Sequence, residues 1–227
     1  MRIRFGIIFL SAFFFWSVGC TTLKTLDLNY SPSPVSPPVV SQGKIAVLPF
    51  EDATWNGQEN PNWVGQASLY GIKLYSPTNL SYLVTQGVKK EMLAYGYQLS
   101  SDEIYTIQIN QQDLKTLLRR IPHIQVDFLV GGVISHFFIQ QAARFIAEVE
   151  IEAYLARPPR GDIVWSKKIG YREVRIPFTV ETFSSQSQDI LNGLLEKTLR
   201  DLFQNSDFRL HTISDKKKDG EPVSGDK

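Results

Sequence analysis

The sequence predicts an α/β domain of the α+β kind, in which a mixed sheet with an antiparallel three-stranded meander packs against two main helices. Phe145, Ala147, Val149, Ile151, Ala153 and Leu155 alternate with Glu148, Glu150 and Glu152, the period of a strand with one buried face. Leu80, Leu83, Val84, Val88 and Met92 fall at helical spacing, as do Ile190, Leu191, Leu194, Leu195, Leu199 and Leu202. A short apolar run, Lys44 to Phe50, precedes both helices and is bounded by Gly43 and Glu51-Asp52, as expected of a buried strand.

Taken in order, the chain opens with an address. Met1 to Arg4 carries two arginines and Phe5 to Trp16 carries no charge, the pattern of a secretory signal and too short for a transmembrane helix of roughly 20 residues. Ser17-Val18-Gly19-Cys20 resembles a bacterial lipobox, in which small residues precede a cysteine that receives a diacylglycerol and becomes the new amino terminus. Ser17 stands where leucine is usual, which leaves ordinary signal cleavage as the alternative. Cys20 is the only cysteine, so neither a disulfide nor a multi-cysteine zinc site forms within one copy. By similarity to lipoprotein sorting in double-membrane bacteria, Thr21 after the cysteine implies the outer membrane, facing the periplasm. Several acyl chains, the diacylglycerol and N-acyl lipid (palmitate among them), would hold the protein stably where one chain would not. No other cofactor is expected.

The chain divides into a signal peptide (1–19), a lipidated Pro/Ser-rich tether (20–42), a single domain (43–208) and a charged, disordered tail (209–227). The tether contains NYSPSPVSPPVVSQ, whose prolines favour extended polyproline II and would reach about 60 to 70 Å at full stretch. After the first strand, Glu51 to Pro77 reads as a loop of unusual length. The first helix follows, with Thr78 or Asn79 as its cap and Gly96 as its stop. Ile104 to Ile109 reads as a short strand and Asp113 to Arg120 as a short helix. The meander begins at DFLVGGVISHFFI, turns again at Pro158 to Asp162 and resumes over Ile163 to Tyr171. Ser185 and Gln188 have capping-box spacing at the start of the closing helix, which ends the domain near Phe208.

Composition excludes more than it assigns. With 24 basic and 23 acidic residues the net charge is +1, so the basic excess on which nucleic-acid affinity rests is missing. His123, His136 and His211 lack the spacing of a zinc motif, and no metal site is expected. Glu148, Glu150 and Glu152 read as the wet side of a sheet, and Gly131-Gly132 as close packing or a bulge. Arg119-Arg120 is a candidate contact with an anionic surface, as is Lys216 to Lys218. Trp55, Trp63, Tyr70 and Tyr75 in the long loop are candidate partner-binding residues, since such aromatics either anchor a partner or fold back over the core.

A KIAVLPF strand, a helix ending in Gly96-Tyr97, the DFLVGGVI strand, a charged hairpin and a final helix occur in that order over Gly43 to Gln204. This order resembles YajG-type lipoproteins, the outer-membrane activators of penicillin-binding proteins, the curli-secretion lipoprotein and the amino-terminal domain of TolB. The resemblance implies a non-enzymatic adaptor or assembly lipoprotein that binds another envelope protein. A related reading is the accessory lipoprotein of a transport or secretion machine, with homo-oligomers formed through its sheet. The reading of a different class is a cell-wall or lipid hydrolase, for which Asp127, Glu150 and His136 are the available groups.

Overall fold

In the computed structural model, which describes residues 21–32, 43–54, 60, 62–100, 125–204 and 206–213, nine strands form one mixed sheet. They are β1 (Thr22–Thr25), β2 (Lys44–Val47), β3 (Glu51–Asp52), β4 (Trp63–Ala67), β5 (Ile72–Tyr75), β6 (Gln98–Leu99), β7 (Phe128–Gln141), β8 (Phe145–Arg157) and β9 (Asp162–Arg175). The helices are α1 (Leu80–Ala94), α2 (Val180–Phe203) and α3 (Ser206–Ile213), and a 3-10 turn, Ser68–Tyr70, joins β4 to β5. The fold class is the expected one.

Strand β7 is the spine. Along one edge it pairs in parallel first with β2, then β3, then β4; along the other it pairs antiparallel with β8, which pairs with β9 to complete the meander. Inward residues of β8, from Phe145 to Leu155, are fully buried beneath α2, so the period-two pattern selects the helix-covered face. The tandem glycines sit where the spine is tightest. A Cβ on Gly132 would lie 2.1 Å from the Glu152 carbonyl oxygen and 2.4 Å from the Phe50 ring, and one on Gly131 would lie 2.5 Å from the Tyr154 hydroxyl. Close packing is therefore their role; the register shift falls later, between Ile134 and His136.

Helix α1 starts and stops as its sequence indicates. The Asn79 side chain accepts from the Tyr82 N–H at 2.8 Å. Beyond its end Gly96 is left-handed (φ 80°), while the Gly96 and Tyr97 N–H groups reach back to Leu93 and Met92. Helix α2 starts five residues before the expected cap. Ser185 lies inside it, donating to the Thr182 carbonyl, and the N-cap is Thr179. No capping box forms at Ser185, and Gln188 instead accepts from the Asp27 N–H at 2.9 Å. The domain also extends past Phe208. In α3, Phe208 packs on Trp165 and Phe203, and Thr212 bonds the Tyr97 hydroxyl at 3.0 Å.

The largest departure is at the amino terminus. Residues 22–30, expected in the tether, belong to the domain: β1 pairs in parallel with β5, and Leu26, Leu28 and Tyr30 are buried in the main core. This strap lies across the helix layer, with Asn29 donating to the Asn192 side chain at 3.1 Å and Lys90 capping the Tyr30 carbonyl at 2.7 Å. The proline-rich stretch therefore joins two anchored segments of one core instead of separating a lipid from a domain. Equally, the expected long loop contains β3, β4 and β5. The expected strand at 104–109, the expected helix at 113–120 and the tail beyond 213 lie outside the described residues.

One acid is buried between the helices. Burial pushes the Glu91 carboxyl from an ordinary 4.5 to about 7, against the lowering field of Arg200, and Glu196 adds to the rise. The folded state thus holds a proton that the unfolded chain releases, so the contribution of Glu91 to stability is most favourable below pH 4.5 and falls as pH rises to about 7, by roughly 3 kcal/mol. Glu91→Gln is expected to abolish that slope and to raise the melting temperature above pH 7, read by thermal denaturation across pH 4 to 8.

Candidate functional site

The three helices pack on one face of the sheet; on the other face Leu129, Tyr154 and Ala156 are buried at one end, and the partly exposed remainder, towards the β7–β8 turn, makes the candidate site. From β7 come His136, Phe138 and Gln140; from β8, Ile146, Glu148, Glu150 and Glu152; from β9, Lys168, Arg172 and Val174. The register sets Glu148 opposite Arg172 and Ile146 opposite Val174. A shallow hollow of about 420 Å³ opens between Thr54, Gln66, Ser135, Phe138, Gln140, Ile146 and Arg172. Phe137, Phe138 and Ile146 give it apolar lining, and polar or charged side chains supply the rest.

Electrostatically the face is mixed. Glu150 accepts from Lys168 at 2.6 Å and lies 3.7 Å from the His136 imidazole; its hydrogen bond holds the Lys168 ammonium above its ordinary pKa. Glu152 accepts from the Ser166 hydroxyl at 3.4 Å. The three glutamates thus stand on the helix-free side of β8 as expected, with Glu150 and Glu152 engaged by groups on the neighbouring strands and Glu148 opposite Arg172 in the ladder. Among the described residues no three of His, Cys, Asp and Glu converge as metal ligands.

The aromatic residues do not form one patch. Trp63 is 7% exposed: its indole donates to the Gly65 carbonyl at 2.8 Å, its ring meets Phe138 edge-on at 5.7 Å, and the Lys73 ammonium lies 5.1 Å from the ring. As a strand residue covered on both sides it is no exposed anchor. Tyr75 faces it across the β4–β5 ladder and is half-buried. Tyr70 is at the other end of β5, 37% exposed, donating to the Phe178 carbonyl at 3.2 Å. Trp55, Cys20, Arg119, Arg120, His123 and Lys216 to Lys218 lie outside the described residues. His211 is exposed on α3.

The groups available to a hydrolase do not converge. Asp127 accepts from the Lys44 N–H at 2.7 Å where β7 begins, and strand rise places it about 30 Å from His136. Residues missed at the sequence level are Phe138, Ile146 and Val174, which occupy outward positions otherwise given to charges. Their signal is apolar residues on the wrong phase of the alternation.

No family model matches the chain, and no curated protein matches it. Solved structures align with it. A Xanthomonas campestris protein of the family DUF330 covers 84% of this chain and 93% of its own, at 11% identity and a TM-score of 0.45. PelC from Paraburkholderia phytofirmans, solved as a dodecamer, covers 74% and 93% at 12% identity and a TM-score of 0.40. The lipoprotein GNA1162 from Neisseria meningitidis covers 66% and 96% at 14% identity and a TM-score of 0.30. At these identities and scores the likenesses assign no residue a role. No helix among the described residues is long and apolar enough to cross a membrane.

Proposed function

We propose that this chain is a non-enzymatic envelope lipoprotein, held on the outer membrane by lipid on Cys20 and facing the periplasm. It binds another envelope protein through the uncovered face of its sheet. One observation carries the reading: the helices take one face of the sheet, while the other opens a hollow lined by apolar Phe138 and Ile146 together with the oppositely charged Glu148 and Arg172. Such a surface suits a protein segment that supplies apolar side chains to the floor and both charge signs to the rim. The resemblance to YajG-type and other envelope assembly lipoproteins supports the same reading.

The test is a photoreactive residue at Gln140, beside the hollow, incorporated in cells. An adduct with one envelope protein is expected, lost when Arg172→Glu reverses the rim charge and absent when the probe stands at exposed Leu93 on α1. No adduct at Gln140, or the same adduct from both positions, would sink the reading. The alternative, an oligomeric accessory lipoprotein of a transport machine, is favoured by β9, a 14-residue strand that pairs only with β8 among the described residues. Sedimentation of the purified protein separates the two, since a monomer leaves only the adaptor.

A further inference from the structure

One end of the sheet collects features that neither the hollow nor the fold requires. The ladders run Thr22 beside Ile72, Ala67 beside Gln141, Gln141 beside Phe145 and Phe145 beside Arg175, so these residues form a transverse row at that end. The Gln141 side chain clasps both backbone groups of Phe178, at 3.0 and 2.8 Å, and the Tyr70 hydroxyl reaches the same carbonyl. The β9–α2 connection is thereby fixed over the row. Of nine large hydrophobic side chains exposed among the described residues, six lie here: Leu23, Leu69, Tyr70, Val174, Ile176 and Val180. Ile176 is 83% exposed and Leu69 69%.

Charge at this end is unbalanced. Leaving Arg172 to the hollow, the segments 21–25, 68–73, 141–146 and 173–181 hold four basic residues, Lys24, Lys73, Arg144 and Arg175, against two acids, Glu173 and Glu181. The chain as a whole is nearly neutral. Position completes the case. Cys20 is two residues before Thr22, so its Cα lies within about 7 Å of the start of β1. Once acyl chains on Cys20 enter the bilayer, the row of residues around Thr22 is held at headgroup depth with no slack to withdraw.

We propose that this end of the sheet is a membrane-docking face, in which Leu23, Leu69, Tyr70, Ile176 and Val180 enter the headgroup–acyl boundary of the bilayer that holds Cys20. Tyrosine and aliphatic side chains suit that boundary, and the basic excess suits anionic lipid headgroups. The sheet then stands end-on to the membrane, with the opposite turn, 158–161, directed outward. The proposal rests on the lipid anchor at Cys20 proposed above.

The experiment uses full-length lipidated protein purified from membranes and reconstituted in phosphatidylethanolamine–phosphatidylglycerol vesicles. Because Cys20 is the only native cysteine and is consumed by lipid, Leu69→Cys, Ile176→Cys, Leu93→Cys and Ile163→Cys each provide one labelling site for a polarity-sensitive fluorophore. Blue-shifted emission and several-fold stronger quenching by spin-labelled lipid are expected at 69 and 176 relative to 93 and 163. Mass spectrometry of the Cys20 peptide separates the two claims. An acylated Cys20 with labels at 69 and 176 as solvated as at 93 would overturn docking alone, whereas an unmodified Cys20 would overturn the anchor and docking together. Labels shielded at 69 and 176 without lipid quenching would mean that a second protein copy covers the face, which also overturns the proposal.

Discussion

A chain that begins at Gly43 is expected not to fold stably, although every strand and helix legible in the sequence would remain. Removing residues 21–32 deletes β1, exposing the β5 edge, and strips Leu26, Leu28 and Tyr30 from the core. Each of these side chains is at most 5% exposed, so at roughly 1.5 to 3 kcal/mol apiece their loss amounts to about 5 to 9 kcal/mol. The strap also satisfies Gln188, Asn192 and Lys90 on the helix layer. Against a total of about 5 to 15 kcal/mol for a domain, that loss leaves little or nothing. Chemical denaturation of chains starting at residue 21 and at residue 43 checks this. Equal midpoints would show the strap to be dispensable, and a cooperative transition only in the longer chain is the expected result.

The second large effect is expected on the spine. Gly132→Ala should destabilise the domain by more than about 3 kcal/mol, because the added methyl meets the Glu152 carbonyl oxygen and the fully buried Phe50 ring. Neither neighbour can retreat. The carbonyl belongs to the β7–β8 ladder, and both backbone groups of Phe50 are held by α1, its N–H by Thr85 at 2.9 Å and its carbonyl by Ser81 at 2.5 Å. Gly193→Ala is the matched control. It lies in α2 with nothing within 4 Å of an added Cβ, and the change should stabilise by about 0.5 to 1 kcal/mol. Thermal denaturation of the two variants should therefore shift in opposite directions, and a Gly132→Ala variant as stable as the parent would contradict the packing described here.

Those contrasts also mark where local sequence is informative. Helix α1 was legible because its cap, apolar stripe and Gly96 stop all lie within its own residues, and the meander because Phe145 to Leu155 alternates without interruption. Strands β1, β4 and β5 were not. Each is four or five residues long, and what makes it a strand is a ladder to a distant segment, such as Gln66 to Gln140 or Lys24 to Leu74. The strap carries a local signal, the alternation of Leu26, Leu28 and Tyr30 with Asp27 and Asn29, but it is short and is followed directly by prolines that favour an extended linker. The start of α2 was misplaced for a related reason: Thr179, Val180 and Glu181 are all exposed, so no apolar periodicity announces the first turn.

The candidate site follows the same division. Glu148, Glu150 and Glu152 were placed correctly on an exposed strand face, because alternation fixes orientation. Of the two roles open to Trp63, partner anchor or core cover, the structure takes the second, and its neighbours Phe138 and Lys73 come from other strands, where no local signal reveals them. The apolar cluster at the β1 end of the sheet has no local signal at all. Leu23, Leu69 and Ile176 are far apart in the chain and meet only through the transverse row of the sheet.

The chain enters the folded domain almost immediately after Cys20, so that a lipid there would hold the domain at the bilayer and not at the end of a long tether. Amide hydrogen exchange over residues 22–30 tests it most directly. The Leu26 N–H bonds the Tyr75 carbonyl at 2.7 Å, and the Asp27 and Asn29 N–H groups bond α2 side chains. Protection approaching that of β7 is predicted at these amides; exchange at the rate of an unstructured peptide would contradict the account.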